Sequence, residues 1–169
     1  MTIARTPQQG DRLWFNSSLL TFKATSAETG GAFVLFEMVS PRGKATPLHL
    51  HPTEDESFYV IEGELLAHVD GSELTAGPGG FVSFPRGTPH AFTIVSETAR
   101  FLTLFTPGPA AAEAFFHDGG EPAQSEGLPP EAPLDIARIK ASAEKHGSVR
   151  LLGPPPFGAP VPQPAAAAL

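Results

Sequence analysis

Short runs of apolar and β-branched residues recur between residues 13 and 106, and glycine- and proline-rich turns separate them. Runs of this kind, rich in Val, Ile, Phe and Thr, predict β-strands. The predicted strands are residues 18–25, 32–39, 57–61, 64–69, 81–84, 91–95 and 100–105. Because no long helical segment interrupts them, the pattern favours an all-β fold, either an antiparallel barrel or a double-sheet jelly roll.

The clearest turn in this pattern is Asp70-Gly71, which lies between two apolar runs. A two-residue type I′ turn needs positive φ at both central residues, and Asp-Gly is one of the pairs that adopt it. The sequence therefore predicts a tight β-hairpin at this point.

The character of the chain changes after residue 106, where Pro, Gly, Ala and Glu become frequent. Residues 1–106 are predicted to form the β-barrel, and residues 107–150 a linker and C-terminal helices that pack on it. Residues 151–169 are predicted to be a Pro/Ala-rich tail.

Two helices are predicted between the barrel and the tail. The first covers residues 110–116 and is stopped by the following glycines. The second covers residues 134–146, with Asp135 as its N-cap and Gly147 just past its end.

Composition and charge narrow the function classes. Glycine and proline number 17 and 19 in 169 residues, which disfavours a helical bundle. The net charge is -7 and no run of Lys or Arg occurs, so nucleic-acid binding is not expected. The absence of Cys excludes disulfides, thiolate metal sites and Cys nucleophiles. Since neither a membrane-spanning stretch nor a signal-peptide pattern is found, we expect a soluble, cytoplasmic protein that does not bind membranes.

The segment with the most informative chemistry starts at His49 and His51. Alternate residues of a strand point to the same side, so these two imidazoles can hold one cation from a single strand. Pro52 then interrupts the strand, and a carboxylate just beyond it can turn back to the same ion. The candidate carboxylates are Glu54, Asp55 and Glu56.

A second segment, residues 79–90, reads as a strand, a Pro-x-Gly turn and a third histidine, His90, that opens the next strand. Three imidazoles and one carboxylate suit one divalent first-row transition metal: Ni, Fe, Mn, Co, Cu or Zn. Ca and Mg prefer oxygen ligands and are not expected here.

These two segments resemble the conserved motifs of the cupin superfamily. Residues 43–63 read G-x5-H-x-H-x4-E-x6-G, and residues 79–90 read G-x5-P-x-G-x2-H. In the family, the second motif often ends four residues further on with Asn; this chain has Ile94 at that position, which is its only departure from the pattern. The resemblance implies a single-domain cupin, which is a double-stranded β-helix or jelly-roll barrel, here with short C-terminal helices.

The resemblance also implies which residues bind the metal. Its four ligands would be His49, His51, Glu56 and His90, which matches the spacing of the first motif at Glu56. Glu54 and Asp55 are then interpreted as solvated or as supporting residues, with Glu54 as the fallback ligand.

A narrower resemblance links residues 49–63 and 145–155 to bacterial single-cupin quercetin 2,3-dioxygenases. It implies a dioxygenase that opens a flavonol-like or other enol-bearing ring with O2, with Glu56 as the catalytic base. One alternative is a non-redox metal-dependent lyase, cyclase or isomerase that acts on an enolisable carbonyl. Another is a cupin that binds a small molecule without catalysis.

The 13 phenylalanines favour a small aromatic or enolic substrate over a sugar phosphate, because Lys44 and Arg86 are the only basic residues near the ligands. Phe58 and Phe92 share strand parity with two of the ligands, so they are candidates for the substrate pocket; ordinary barrel packing is the alternative. We also expect a homodimer, paired through residues 13–25 and the C-terminal helix.

Overall fold

The computed structural model describes residues 2–158 of the chain. Its strands are β1 (Arg12–Phe15), β2 (Ser18–Ala24), β3 (Val34–Pro41), β4 (Leu48–Leu50), β5 (Asp55–Glu62), β6 (Leu65–Val69), β7 (Ser72–Ala76), β8 (Phe81–Phe84), β9 (His90–Ile94), β10 (Thr98–Thr106), β11 (Glu121–Pro122) and β12 (Arg150–Gly153). Its helices are α1 (Ser26–Thr29), α2 (Ala110–Gly119) and α3 (Ile136–His146). None of the described helices is long and apolar enough to cross a membrane.

The strands form two antiparallel sheets, as the predicted jelly roll requires. The seven-stranded sheet has the order β11-β1-β2-β3-β10-β5-β8, and the five-stranded sheet has the order β12-β4-β9-β6-β7. The sheets face each other, since Phe58 of β5 contacts Phe92 of β9 with ring centroids 5.0 Å apart. Within the described residues the sheets stay separate, so the jelly roll is a pair of facing sheets rather than a closed barrel.

Alternating side chains build the core between the sheets. In β10, Phe101, Thr103 and Phe105 are fully buried, while the residues between them are only partly buried. This period of two is the one that a strand with one buried face requires. All seven predicted strands are present, as β2, β3, β5, β6, β8, β9 and β10.

The predicted hairpin is confirmed at Asp70 and Gly71, which have φ of 47° and 81° and connect β6 to β7. Strand β7 itself is not among the predicted strands. Four of its five residues are exposed, so it lacks the alternation that marks a half-buried strand.

The C-terminal helices cover one end of the sheets. Helix α2 packs its Phe115 and Phe116 edge-to-face against Phe15 of β1. Helix α3 begins at the predicted N-cap, Asp135, whose side chain accepts a hydrogen bond from the amide of Arg138. The predicted end is also confirmed: the C-cap glycine after α3 has φ of 69°, in the left-handed region.

The predicted tail begins later than residue 151. Residues 150–153 form β12, which pairs with β4 and places Leu151 opposite His49. The sequence of this region is rich in Pro and Ala, but its first apolar residues complete the edge of the five-stranded sheet. Residues 159–169, the rest of the predicted tail, lie outside the described residues.

Candidate metal centre

Three strands from both sheets bring the four predicted ligands together. His49 on β4 and His90 on β9 lie directly opposite each other in the five-stranded sheet. His51 follows β4, and Glu56 lies on β5 of the facing sheet. The site therefore lies between the two sheets, where side chains from both meet.

The geometry of these residues fits a single cation. One ligand atom from each of His49, His51, Glu56 and His90 lies within 4.8 Å of the others, and all four residues are buried. Glu56 Oε2 lies 2.9 Å from His90 Nε2 and 3.4 Å from His51 Nε2. Four neutral or anionic donors at this spacing can surround one ion.

Backbone carbonyls fix the orientation of all three imidazoles. The Nδ1 of His49 lies 2.8 Å from the Pro47 oxygen, and the Nδ1 of His90 lies 2.9 Å from the Thr88 oxygen. The Nδ1 of His51 lies 2.9 Å from the Ser148 oxygen. A carbonyl only accepts, so each Nδ1 carries a hydrogen, and each Nε2 is left as the nitrogen that can bind a metal.

The Nε2 of His51 gives a direct test of whether the site fits a metal. This atom is buried and makes no well-formed hydrogen bond within the described residues; the polar atom near it is Glu56 Oε2, 3.4 Å away. A buried polar atom without a partner is costly, and such atoms are rare in folded proteins. A cation between the imidazoles and Glu56 would satisfy it, so the residues present fit a divalent transition metal.

The charges in the cluster are strongly coupled. Burial lowers the pKa of His49 to about 3, with His90 and His51 adding to the effect. Burial alone would lower the pKa of His51, but its contacts with Glu54 and Glu56 outweigh this and raise it to about 9. Burial alone would raise the pKa of Glu56, but contacts with His51 and His90 hold it well below its usual range. The contacts within the cluster therefore favour the anionic form of Glu56.

A second carboxylate, Glu54, lies behind His51 on the side away from Glu56. Glu54 is fully buried, and its Oε1 lies 3.3 Å from the Nδ1 of His51. Thr53 donates a hydrogen bond to its other oxygen. Glu54 is therefore buried rather than solvated, and it lies outside the cluster of four, so its role as a supporting residue stays a prediction. Asp55, by contrast, pairs with Arg86 at the surface.

The centre opens into one end of a cavity of about 650 Å³. His49, His51 and Glu56 lie on its wall, while His90 lies behind them. Of the two predicted pocket residues, Phe92 lines this cavity. Phe58 instead packs in the core against Phe84, Phe92 and Phe101, which is the ordinary packing that the sequence left open.

A buried lysine shares the cavity with the centre. Lys44 is only 7% exposed, and its Nζ lies 3.8 Å from the centroid of the Phe92 ring. Burial lowers the pKa of Lys44 to about 7, although the charge of Glu56 opposes this shift. The sequence marks Lys44 as a basic residue near the ligands, but only the fold places it inside.

Apolar residues of the C-terminal segment form the outer part of the cavity. Leu134 and Ile136 at the start of α3 are exposed, and so is Leu152 of β12. Ile139 and Leu151 also line the cavity, and they are partly buried because they pack against the core. We call these five residues the apolar rim.

Comparison with known proteins identifies the class of this domain. Residues 35–105 match the family model of the cupin domain. The chain therefore carries a cupin domain, which confirms the resemblance that its two motifs predicted. Among characterised relatives, it is 30% identical over 123 residues to quercetin 2,3-dioxygenase of Bacillus subtilis (strain 168). That alignment covers 73% of this chain but only 36% of the relative.

Solved structures agree with the fold. A predicted oxalate decarboxylase from Thermotoga maritima matches with a TM-score of 0.55 at 18% identity, over 63% of this chain and 99% of the other. A nucleoside dehydratase from Streptomyces matches with a TM-score of 0.53 at 13% identity, over 63% of this chain and 83% of the other. At these identities the structures establish the jelly-roll fold alone.

Proposed function

We propose that this protein is a metal-dependent dioxygenase that opens a flavonol-like or other enol-bearing ring with O2. The observation that carries the proposal is the cluster of three histidines and one glutamate at the end of an apolar cavity large enough for a flat aromatic molecule. The likeness to quercetin 2,3-dioxygenase supports it, although the chain spans only 36% of that relative's length.

His49, His51, Glu56 and His90 would hold the ion in this proposal. When bound, a divalent transition metal would act as a Lewis acid toward the enol oxygen and bring O2 to the ring. Elemental analysis of protein purified without chelator identifies the metal among Ni, Fe, Mn, Co, Cu and Zn.

The residues of the chain supply binding and proton transfer. Phe92 and the apolar rim hold the ring and exclude water from it. Glu56 reaches the cavity wall, so in this proposal it takes the enol proton at a carboxylate oxygen. His51 and His90 hold Glu56 in place through contacts to its Oε2.

The test is O2 uptake with a flavonol by the metal-loaded protein and by Glu56→Gln. General-base catalysis contributes roughly 100- to 10,000-fold, so we expect turnover to fall by about that factor. Asp55→Asn, which removes the neighbouring surface carboxylate, is the matched control and should retain full turnover. Unchanged O2 uptake in Glu56→Gln, with metal still bound, would reject the base role.

The same assay separates the other two classes of function. Product formed without O2, with Zn as effective as Fe, Ni or Mn, would indicate a non-redox lyase, cyclase or isomerase. A ligand that binds tightly and remains unchanged after aerobic incubation would indicate a binding protein. The homodimer remains a prediction, and light scattering after size exclusion tests it.

A further inference from the structure

We propose that Lys44 is an anion-binding residue, and that the cavity therefore takes a flat, largely apolar substrate that carries one anionic oxygen. The oxygen belongs to a carboxylate or to an ionised phenol or enol. This choice of substrate class rests on the proposed function, because it assumes that the cavity is where substrate binds.

The first support is that Lys44 is buried with no carboxylate of the described residues in contact, so that the charge of Glu56 acts on it only from a longer distance. Within residues 2–158, its Nζ makes no hydrogen bond or ion pair, and its close neighbour is the face of the Phe92 ring. Burying a charge is expensive unless it is paired. A bound anion would offset this cost, so the lysine is suited to a ligand rather than to structure.

Other cations of the protein behave differently. Several of them pair with carboxylates at or near the surface, with water as the alternative partner. These pairs are Arg5 with Glu28, Arg86 with Asp55, Arg100 with Glu37 and Glu62, and Lys145 with Asp118. Lys44 is buried instead, and the described part of the chain offers no carboxylate in contact with it.

The second support is the position of Lys44 relative to the metal centre. Lys44 lies on Phe92, and Phe92 follows His90 by two residues on the same strand. Lys44 and Phe92 line the same cavity as three of the four residues of the centre, so Nζ and the centre face the same space. One molecule can therefore contact both at once.

The other residues that line the cavity determine which kind of anion can bind. The cavity is lined mainly by apolar residues, which disfavours a highly polar ligand. One buried lysine can neutralise one negative charge, whereas a phosphate ester needs more donors and more positive charge. The site is thus matched to a monoanion on an aromatic framework.

The experiment compares ligands that differ only in charge. We would measure the binding of 2-naphthoate and of neutral 2-naphthamide to the Zn-loaded protein by calorimetry. A second pair, 1-nitro-2-naphthol and its methyl ether, replaces the carboxylate by a phenolate. Wild type should prefer at least one anion over its neutral partner by about tenfold or more, the scale of a hydrogen bond to a charged group. The pair with the larger preference tells which anion the site takes.

Variants assign that preference to one side chain. Lys44→Met keeps the length of the side chain but should abolish the preference, while Lys44→Arg should retain most of it. Lys145→Met removes an exposed lysine of α3 that does not line the cavity, and it should change anion binding by less than about threefold, since exposed charges are screened. Melting curves and Zn content confirm that each variant is folded and loaded.

Two results would overturn the proposal. Equal binding of anion and neutral partner by the wild type would mean that the cavity has no anion site, even if Lys44→Met does not fold. A preference that survives in Lys44→Met would assign the anion to the metal. A different result would contradict the proposed function alone: the metal-loaded wild type consumes no O2 with flavonols, while its preference for the anion still depends on Lys44.

Discussion

The two ends of the cavity are built in different ways. At the candidate metal centre, the four clustered residues come from motif positions in or next to the strands, and all of them are buried. At the apolar rim, the side chains come from α3, the segment just before it and β12, and three of the five are exposed. The centre thus consists of polar groups fixed by hydrogen bonds, while the rim consists of apolar groups held only by packing.

This difference assigns separate tasks to the two ends. Imidazoles that are held by backbone carbonyls need little rearrangement to bind an ion, which suits the end of the cavity that would bind the metal. Exposed leucine and isoleucine side chains lose water contact when a ligand covers them, which suits selection of an apolar substrate. We therefore expect changes at the centre to alter metal binding and changes at the rim to alter substrate binding.

Removal of a ligand should give the largest effect. His90→Ala deletes the imidazole opposite His49, so metal affinity should fall by more than the roughly 10- to 100-fold that loss of a supporting hydrogen bond costs. Metal content and a competition titration with a chelator measure this. His68→Ala on β6, outside the cluster, is the control; equal metal loss in both variants would contradict the assigned site.

Loss of the buried carboxylate behind His51 should come next. Glu54→Gln keeps the size of the side chain but removes the charge beside His51 Nδ1, and metal affinity should fall by roughly 10- to 100-fold. Asp55→Asn is the matched control, because that carboxylate pairs with Arg86 at the surface. If both variants bind metal as wild type does, Glu54 does not support the centre.

At the rim, Ile136→Ser should weaken the binding of neutral 2-naphthamide and leave the metal content unchanged. Part of an exposed isoleucine is covered by the ligand, so we expect a roughly threefold to tenfold rise in Kd. Calorimetry measures the binding of 2-naphthamide, and elemental analysis of the same preparation measures the metal content. A loss of metal in this variant would show that the two ends of the cavity are not independent.

The smallest effect concerns the ion pairs that hold α3, and with it the rim, against α2. Lys145 and His146 lower the pKa of Asp118 to about 2, from 3.8 in its unperturbed state. The folded-state pKa is the lower one, so this stabilisation is complete above the unperturbed value and is lost as pH falls toward 2. The difference in Tm between wild type and Asp118→Asn should therefore shrink over this pH range. A constant difference would contradict the assignment.

The sequence predicts the centre better than it predicts the rim. The two motifs fix both the strands and the turns around the candidate ligands, so their spacing predicts that four side chains come together. These are His49, His51, Glu56 and His90. Helix α3 is equally well marked, since Asp135 and Gly147 cap its ends. These are local signals, and local signals are readable along one chain.

The features that the sequence could not decide depend on contacts between distant segments. Strand parity assigns Phe58 and Phe92 alike to the interior, but only the packing of the facing sheet separates a core residue from a cavity wall. Glu54 is an ordinary acidic residue after a proline until the fold buries it beside His51. The tail boundary shifts for the same reason, because β12 exists only by pairing with β4.

The hydrogen bond between His51 and Ser148 joins residues that are 97 positions apart in the chain. One ring of the candidate metal centre is therefore oriented by a segment that a ribosome makes long after the motif itself. During synthesis, the nascent sheets carry three histidines and a glutamate, but His51 lacks its carbonyl partner until the residues around Ser148 have folded back. The orientation of this ring is thus completed only at a late stage of folding, when the strand that borders the centre is already in place.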